Sequence, residues 1–278
     1  MKRFVTSDGL GLAYADEGSG LPLLCLAGLT RNGEDFDPVR DAFGADLRLI
    51  RLDSRGRGAS DFDPDPANYN VAVEARDALE LLDHLGLERV ALLGTSRGGL
   101  LSMVMAAAAR ERLIGVMLND IGPVIEAEGL ARILTYLGVR PSAPSLDMLA
   151  AATAAQMRPQ FPGVTAAMWR VFLGRTLRET PAGLELRYDP ALRHAFLAQS
   201  DAGEQTDLWP LFDALAGVPL ALLRGANSDI LSQATAEAMR ERRPDMALTI
   251  VPDRGHVPFL DEPCSQDAIG AFLARLAP

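Results

Sequence analysis

The chain has 278 residues, 48% of them hydrophobic, and a formal net charge of −10 at pH 7. That suits one large domain, or a domain carrying an insertion, and the acidic balance argues against nucleic acid or an anionic membrane, which attract basic surfaces. Two cysteines cannot build a disulfide framework, the first eight residues carry no apolar signal, and no stretch reaches the about 18 apolar residues of a membrane span.

A soluble cytoplasmic protein is therefore expected, and a homo-oligomer is compatible with these features. Lys2 is the sole lysine, which sets aside serine–lysine dyads and Schiff-base chemistry. No HExxH, CxxC, GxGxxG or GxxxxGK[ST] pattern occurs, so neither a metal nor a cofactor is expected.

In chain order, residues 3–6 and 10–15, separated by Asp8-Gly9, predict an antiparallel hairpin. Apolar runs of strand length follow at residues 21–27, 47–52, 90–93, 113–118, 219–223 and 246–251. Between them Val71, Ala75, Ala78, Leu79, Leu82 and Leu85 form one helical stripe that Gly86 stops, and Ala271, Phe272, Leu273 and Leu276 mark a terminal helix. Strands alternating with helices predict an α/β fold with a mostly parallel central sheet covered on both faces.

The rhythm breaks after the sixth strand. Residues 124–216 show no convincing strand, carry six prolines from Pro141 to Pro190, and contain helical pieces at 129–137, 146–157 and 164–173. This stretch is expected to be a helical cap inserted into a core domain of residues 1–123 and 217–278.

Gly94-Thr95-Ser96-Arg97-Gly98 lies between a buried strand and a small-residue helix. That context makes G-x-S-x-G informative: the sharp turn lifts the serine hydroxyl off the sheet, and the glycines let strand and helix pass closely. Ser96 is the expected nucleophile. Its base is His256, in a loop just past the last strand, at the sheet edge where ligands bind. His84 ends a helix and reads as structural, and His194 reads as a surface residue of the insertion or a substrate contact.

Two carboxylates stand at the same edge. Asp229 follows the strand at 219–223, and its position between Ser96 and His256 matches the nucleophile–acid–base order of this architecture, so it is the expected acid. Asp120, at the end of the strand after the nucleophile helix, is the alternative. Arg31 and the Arg97 side chain are candidates for binding a substrate carboxylate. Trp169, with Met157, Phe161, Met168, Phe172 and Leu173, either lines an acyl pocket or forms the core of the insertion.

Further motifs are Asp53-Ser54-Arg55-Gly56-Arg57-Gly58-Ala59-Ser60, which looks like a D-x-R-G-x-G-x-S turn, and the 255–263 segment, similar to G-H-x-P…E-x-P. With these the chain resembles the α/β-hydrolase superfamily, in its capped esterase, lactonase and carbon–carbon hydrolase branch, over nearly its whole length. The resemblance implies an oxyanion hole from the backbone amides of Leu29 and Arg97.

Ala27-Gly28 replaces the His-Gly common in the family, which leaves open what braces the 28–32 loop. A serine nucleophile departs from haloalkane dehalogenases and epoxide hydrolases. Val257 replaces the tryptophan common in hydrolases of ring-cleavage products. The reaction implied is hydrolysis of a small to medium ester or lactone through an acyl-serine. Carbon–carbon hydrolase, lyase or perhydrolase chemistry on the same triad, or non-hydrolytic small-molecule binding, are the alternatives.

Overall fold

Leu23 and Cys25 pack into one hydrophobic layer while Leu24 and Leu26 pack into another, and the same alternation recurs at Ala91 and Leu93 against Leu92, and at Ala221 and Leu223 against Leu222. Strands with both faces buried belong at the centre of a sheet sandwiched by helices. The computed structural model, which describes residues 1–201 and 207–276, has that arrangement.

The strands β1 (Lys2–Val5), β2 (Gly11–Gly18), β3 (Leu21–Leu26), β4 (Leu47–Leu52), β5 (Val90–Thr95) and β6 (Leu113–Asn119) precede the insertion, and β9 (Leu220–Gly225) and β10 (Ala247–Val251) follow it. They form one eight-stranded sheet in the order β1-β2-β4-β3-β5-β6-β9-β10. The β1–β2 and β2–β4 pairs are antiparallel, and the remaining pairs are parallel.

Helices α2 (Val71–His84) and α3 (Arg97–Ala109) cover one face. Helices α1 (Asp37–Phe43) and α10 (Pro263–Leu276) cover the other. The α9 helix (Gln233–Arg242) links β9 to β10 and buries Ala236 and Met239 in the first layer.

The stretch between β6 and β9 carries α4 (Ala127–Tyr136), α5 (Leu146–Gln156), α6 (Ala166–Gly174), α7 (Leu192–Asp201) and α8 (Trp209–Asp213). It also holds an antiparallel hairpin, β7 (Leu177–Thr180) with β8 (Gly183–Leu186), where the sequence showed no convincing strand. The hairpin is short and turns Arg178 and Glu185 outward, while Glu179, on the leucine face, accepts from the Leu146 amide at 2.8 Å. Its inward Leu177 and Leu184 close a small separate core with Leu146. Two buried leucines are too faint a period to read as a strand from sequence. The expected 124–216 segment also spans residues 202–206, which lie outside the described part of the chain. Among the described residues no helix is long and apolar enough to cross a membrane.

Candidate active site

Ser96 joins β5 to α3 with φ 51° and ψ −116°, a left-handed conformation for a residue with a side chain. The turn is held by backbone hydrogen bonds: the Ser96 amide donates to the Asn119 carbonyl of β6 at 2.9 Å, and the Gly99 amide donates to the Ser96 carbonyl at 2.8 Å. Close passage of strand and helix explains the glycines. A β-carbon on Gly98 would lie 1.9 Å from the Leu26 carbonyl oxygen, and one on Gly94 would lie 2.5 Å from the Gly98 carbonyl oxygen.

His256, in the loop beyond β10, places Nε2 2.8 Å from Ser96 Oγ. Its Nδ1 lies 2.8 Å from Asp120 Oδ2. When Nδ1–H donates to that carboxylate, Nε2 is left as the acceptor for the serine hydroxyl. Asp120 is fully buried just past β6, at φ 58°. Its carboxylate also accepts from the Gly225 amide at 2.8 Å and from the Ser228 hydroxyl at 2.6 Å. These two donors fix its orientation toward the imidazole.

Asp229, the acid expected from the sequence, does not reach His256. Its carboxylate is engaged by Arg132 of α4 through Nε at 2.5 Å and Nη2 at 2.7 Å. Burial pushes the Asp229 carboxyl up, but the hydrogen bond and charge of Arg132 outweigh it and hold the group below its ordinary value. The strands β6 and β9 are neighbours, so the loops after them converge on one edge, and Ser228 rather than Asp229 turns to the histidine's partner.

A β-carbon on Gly28 would lie 3.7 Å from Ser96 Cβ, so the 28–31 turn, closed by the Arg31 amide on the Gly28 carbonyl at 3.1 Å, stands beside the serine. Among the described residues the amides of Leu29 and Arg97 donate to no protein acceptor. The brace of this turn is Arg57, whose Nε donates to the Leu29 carbonyl at 2.8 Å. Arg57 belongs to the Asp53–Ser60 motif, whose local pattern carries no sign of this contact with a residue 28 positions away.

The profile of the alpha/beta hydrolase family matches residues 23–266. The chain belongs to this family. It is 33% identical over 257 residues to a 3-hydroxybutyrate-oligomer hydrolase of Cupriavidus necator, covering 90% of this chain and 87% of that protein. It is 28% identical to a 2-(acetamidomethylene)succinate hydrolase of Mesorhizobium japonicum, covering 92% and 88% of the two chains. The crystal structure of an alpha/beta hydrolase from Novosphingobium aromaticivorans superposes with a TM-score of 0.91 at 40% identity, covering 99% of this chain and 97% of that one.

In this alpha/beta hydrolase the two candidate substrate arginines have internal partners. Arg31 donates to Asp35 from Nε at 2.7 Å and from Nη2 at 2.5 Å, reaches the Phe172 carbonyl at 3.0 Å, and stacks 3.6 Å from the centroid of the Phe172 ring. The Arg97 guanidinium lies on Glu74 and on the Tyr69 carbonyl. Trp169 is 5% exposed and packs edge-on against Phe161, Phe172 and Phe259, so it stands in the core joining the insertion to the histidine loop. His84 stacks on Phe4 and lies 3.2 Å from the Tyr14 hydroxyl, while His194 is exposed on α7.

Proposed function

We propose that this protein is a serine hydrolase that cleaves a small to medium carboxylic ester or lactone through an acyl-serine, with residues 124–216 acting as a cap over the site. The continuous chain of hydrogen bonds from Ser96 Oγ through His256 to Asp120, each 2.8 Å long, carries this reading. In the first step His256 Nε2 takes the Ser96 proton as Oγ attacks the carbonyl carbon, and Asp120 stabilises the imidazolium. The oxyanion is received by the Leu29 and Arg97 amides, with the N-terminus of α3 behind them. Losing one such donor typically costs about 3–4 kcal/mol in the transition state.

The protonated imidazole then hands its proton to the leaving alkoxide, the carbon–oxygen bond breaks, and the acyl-serine remains. Water activated by His256 attacks that ester, releasing the acid and restoring the serine. A chain of 3-hydroxybutyrate units is joined by carboxylic ester bonds, so the name of the Cupriavidus necator relative favours the ester reading. The free cysteines Cys25 and Cys264 suit a reducing compartment, and the cytoplasm is the location we propose.

Turnover of p-nitrophenyl butyrate, of a simple lactone and of the 3-hydroxybutyrate dimer by wild type and by Ser96→Ala tests the proposal. Acid release by wild type, abolished in a variant of unchanged circular dichroism, is expected. Full activity in the variant would overturn it.

A further inference from the structure

Behind the two amides assigned to the oxyanion lies a buried ion cluster outside the triad. Glu74, on α2, is 2% exposed, Arg57 is 1% exposed and Arg97 is 9% exposed. Glu74 Oε1 accepts from Arg57 Nη1 at 3.0 Å and from Arg97 Nη2 at 2.8 Å, and Oε2 accepts from Arg97 Nε at 3.0 Å. Arg57 continues to the Leu29 carbonyl, and it is anchored from Nη1 on the Arg55 carbonyl at 2.6 Å. One carboxylate thus connects the residue that carries the first amide, through Arg57, to the residue that carries the second, Arg97.

We propose that Glu74 is a positioning residue: by holding Arg57 beneath Leu29 and clamping the Arg97 side chain, it sets the separation and aim of the two oxyanion-donor amides. This rests on the acyl-transfer reading above. Buried ion clusters add little net stability compared with apolar side chains of the same volume, so stability alone is a weak reason for three charged residues here. The cluster also pairs two guanidinium groups with one carboxylate, leaving an excess positive charge behind the amides, which has the sign that favours an oxyanion.

The charge state fits that arrangement. Burial raises the Glu74 carboxyl, but the charges of Arg57 and Arg97 hold it below its ordinary value, so it stays ionised. Arg57 Nη2 is buried with no hydrogen-bond partner among the described residues, as expected where one carboxylate serves two guanidinium groups.

The test compares wild type with Arg97→Met and Arg97→Lys. Arg97→Met keeps the backbone amide and the Arg57–Glu74 pair while removing the clamp on the second amide. The readouts are kcat and KM on a p-nitrophenyl ester, affinity for an alkyl boronic acid that forms a tetrahedral adduct on Ser96, and affinity for the product carboxylate. For Arg97→Met a fall in kcat of about tenfold, part of the roughly 100- to 1,000-fold that loss of a whole donor costs, is expected. Boronate affinity should fall by the same factor while KM and product affinity hold, and Arg97→Lys should recover part of the loss.

Unchanged kcat and boronate affinity in a folded Arg97→Met would overturn the inference. Should Arg97→Met fail to fold, Glu74→Gln decides: it keeps the side-chain volume and removes the charge that holds both arginines, and kcat and boronate affinity both at wild-type values would count against the clamp. Wild type that neither turns over esters nor binds boronate would remove the acyl-transfer reading itself and this inference with it. Wild type that does both, beside unaffected variants, would remove the inference alone.

Discussion

Asp120 and Asp229 sit past the ends of adjacent strands, and a sequence offers no direct means of choosing between them. The choice is made by Arg132, 97 positions from Asp229 along the chain, which occupies the Asp229 carboxylate from above. Asp120 directly follows β6 and takes a φ of 58°, a left-handed conformation that aspartate tolerates. Ser96 and His256 were legible because a tight turn and a strand-end loop leave a short, local signature. Asp120→Asn should lower kcat by about four orders of magnitude, the loss seen when a triad carboxylate no longer holds its histidine. Asp229→Asn should leave kcat within a few-fold. Steady-state kinetics on one ester separates the two, and equal losses would contradict the assignment of Asp120.

The element that creates the site is the β5–α3 turn, and its tolerance is set by contact between backbones. A methyl group on Gly98 would meet the Leu26 carbonyl of β3 at 1.9 Å, forcing helix and sheet apart. Gly98→Ala should therefore cost more than about 3 kcal/mol, at or above the upper end of ordinary overpacking. It should also reduce labelling of Ser96. Thermal denaturation beside active-site titration would show both, and a wild-type melting temperature would contradict this geometry. The central strands β3 to β6 and β9 were legible at this scale because burial on both faces makes them continuous apolar runs. The β7–β8 hairpin was not, since it buries only Leu177 and Leu184 among charged neighbours.

Across the whole molecule the insertion is tied to the sheet domain by polar contacts as well as by the Phe161–Trp169–Phe259 core. Arg132 grips Asp229, Arg187 grips Glu34 through two bonds of 2.7 and 2.6 Å, and Asn32 donates to the Arg175 carbonyl at 2.6 Å. These ties join residues far apart in sequence, which is why no local pattern revealed them. The Arg132–Asp229 pair predicts a pH signature. The folded-state value of Asp229 is depressed, so its stabilisation is present above the unfolded carboxylate pKa and is lost as pH falls through the folded value. The melting-temperature difference between wild type and Asp229→Asn should be full near neutrality, equivalent to about 1 kcal/mol. It should shrink as the pH drops below about 4. A difference independent of pH across that range would show that the pair does not carry it.

His256 and Asp120 are proposed to make Ser96 a nucleophile, and intact-mass measurement after incubation with a fluorophosphonate, on wild type and on Ser96→Ala, tests this. One covalent adduct on wild type, mapped by peptide analysis to Ser96, and none on the variant are expected. An unlabelled wild type, or a variant labelled to the same extent, would contradict it.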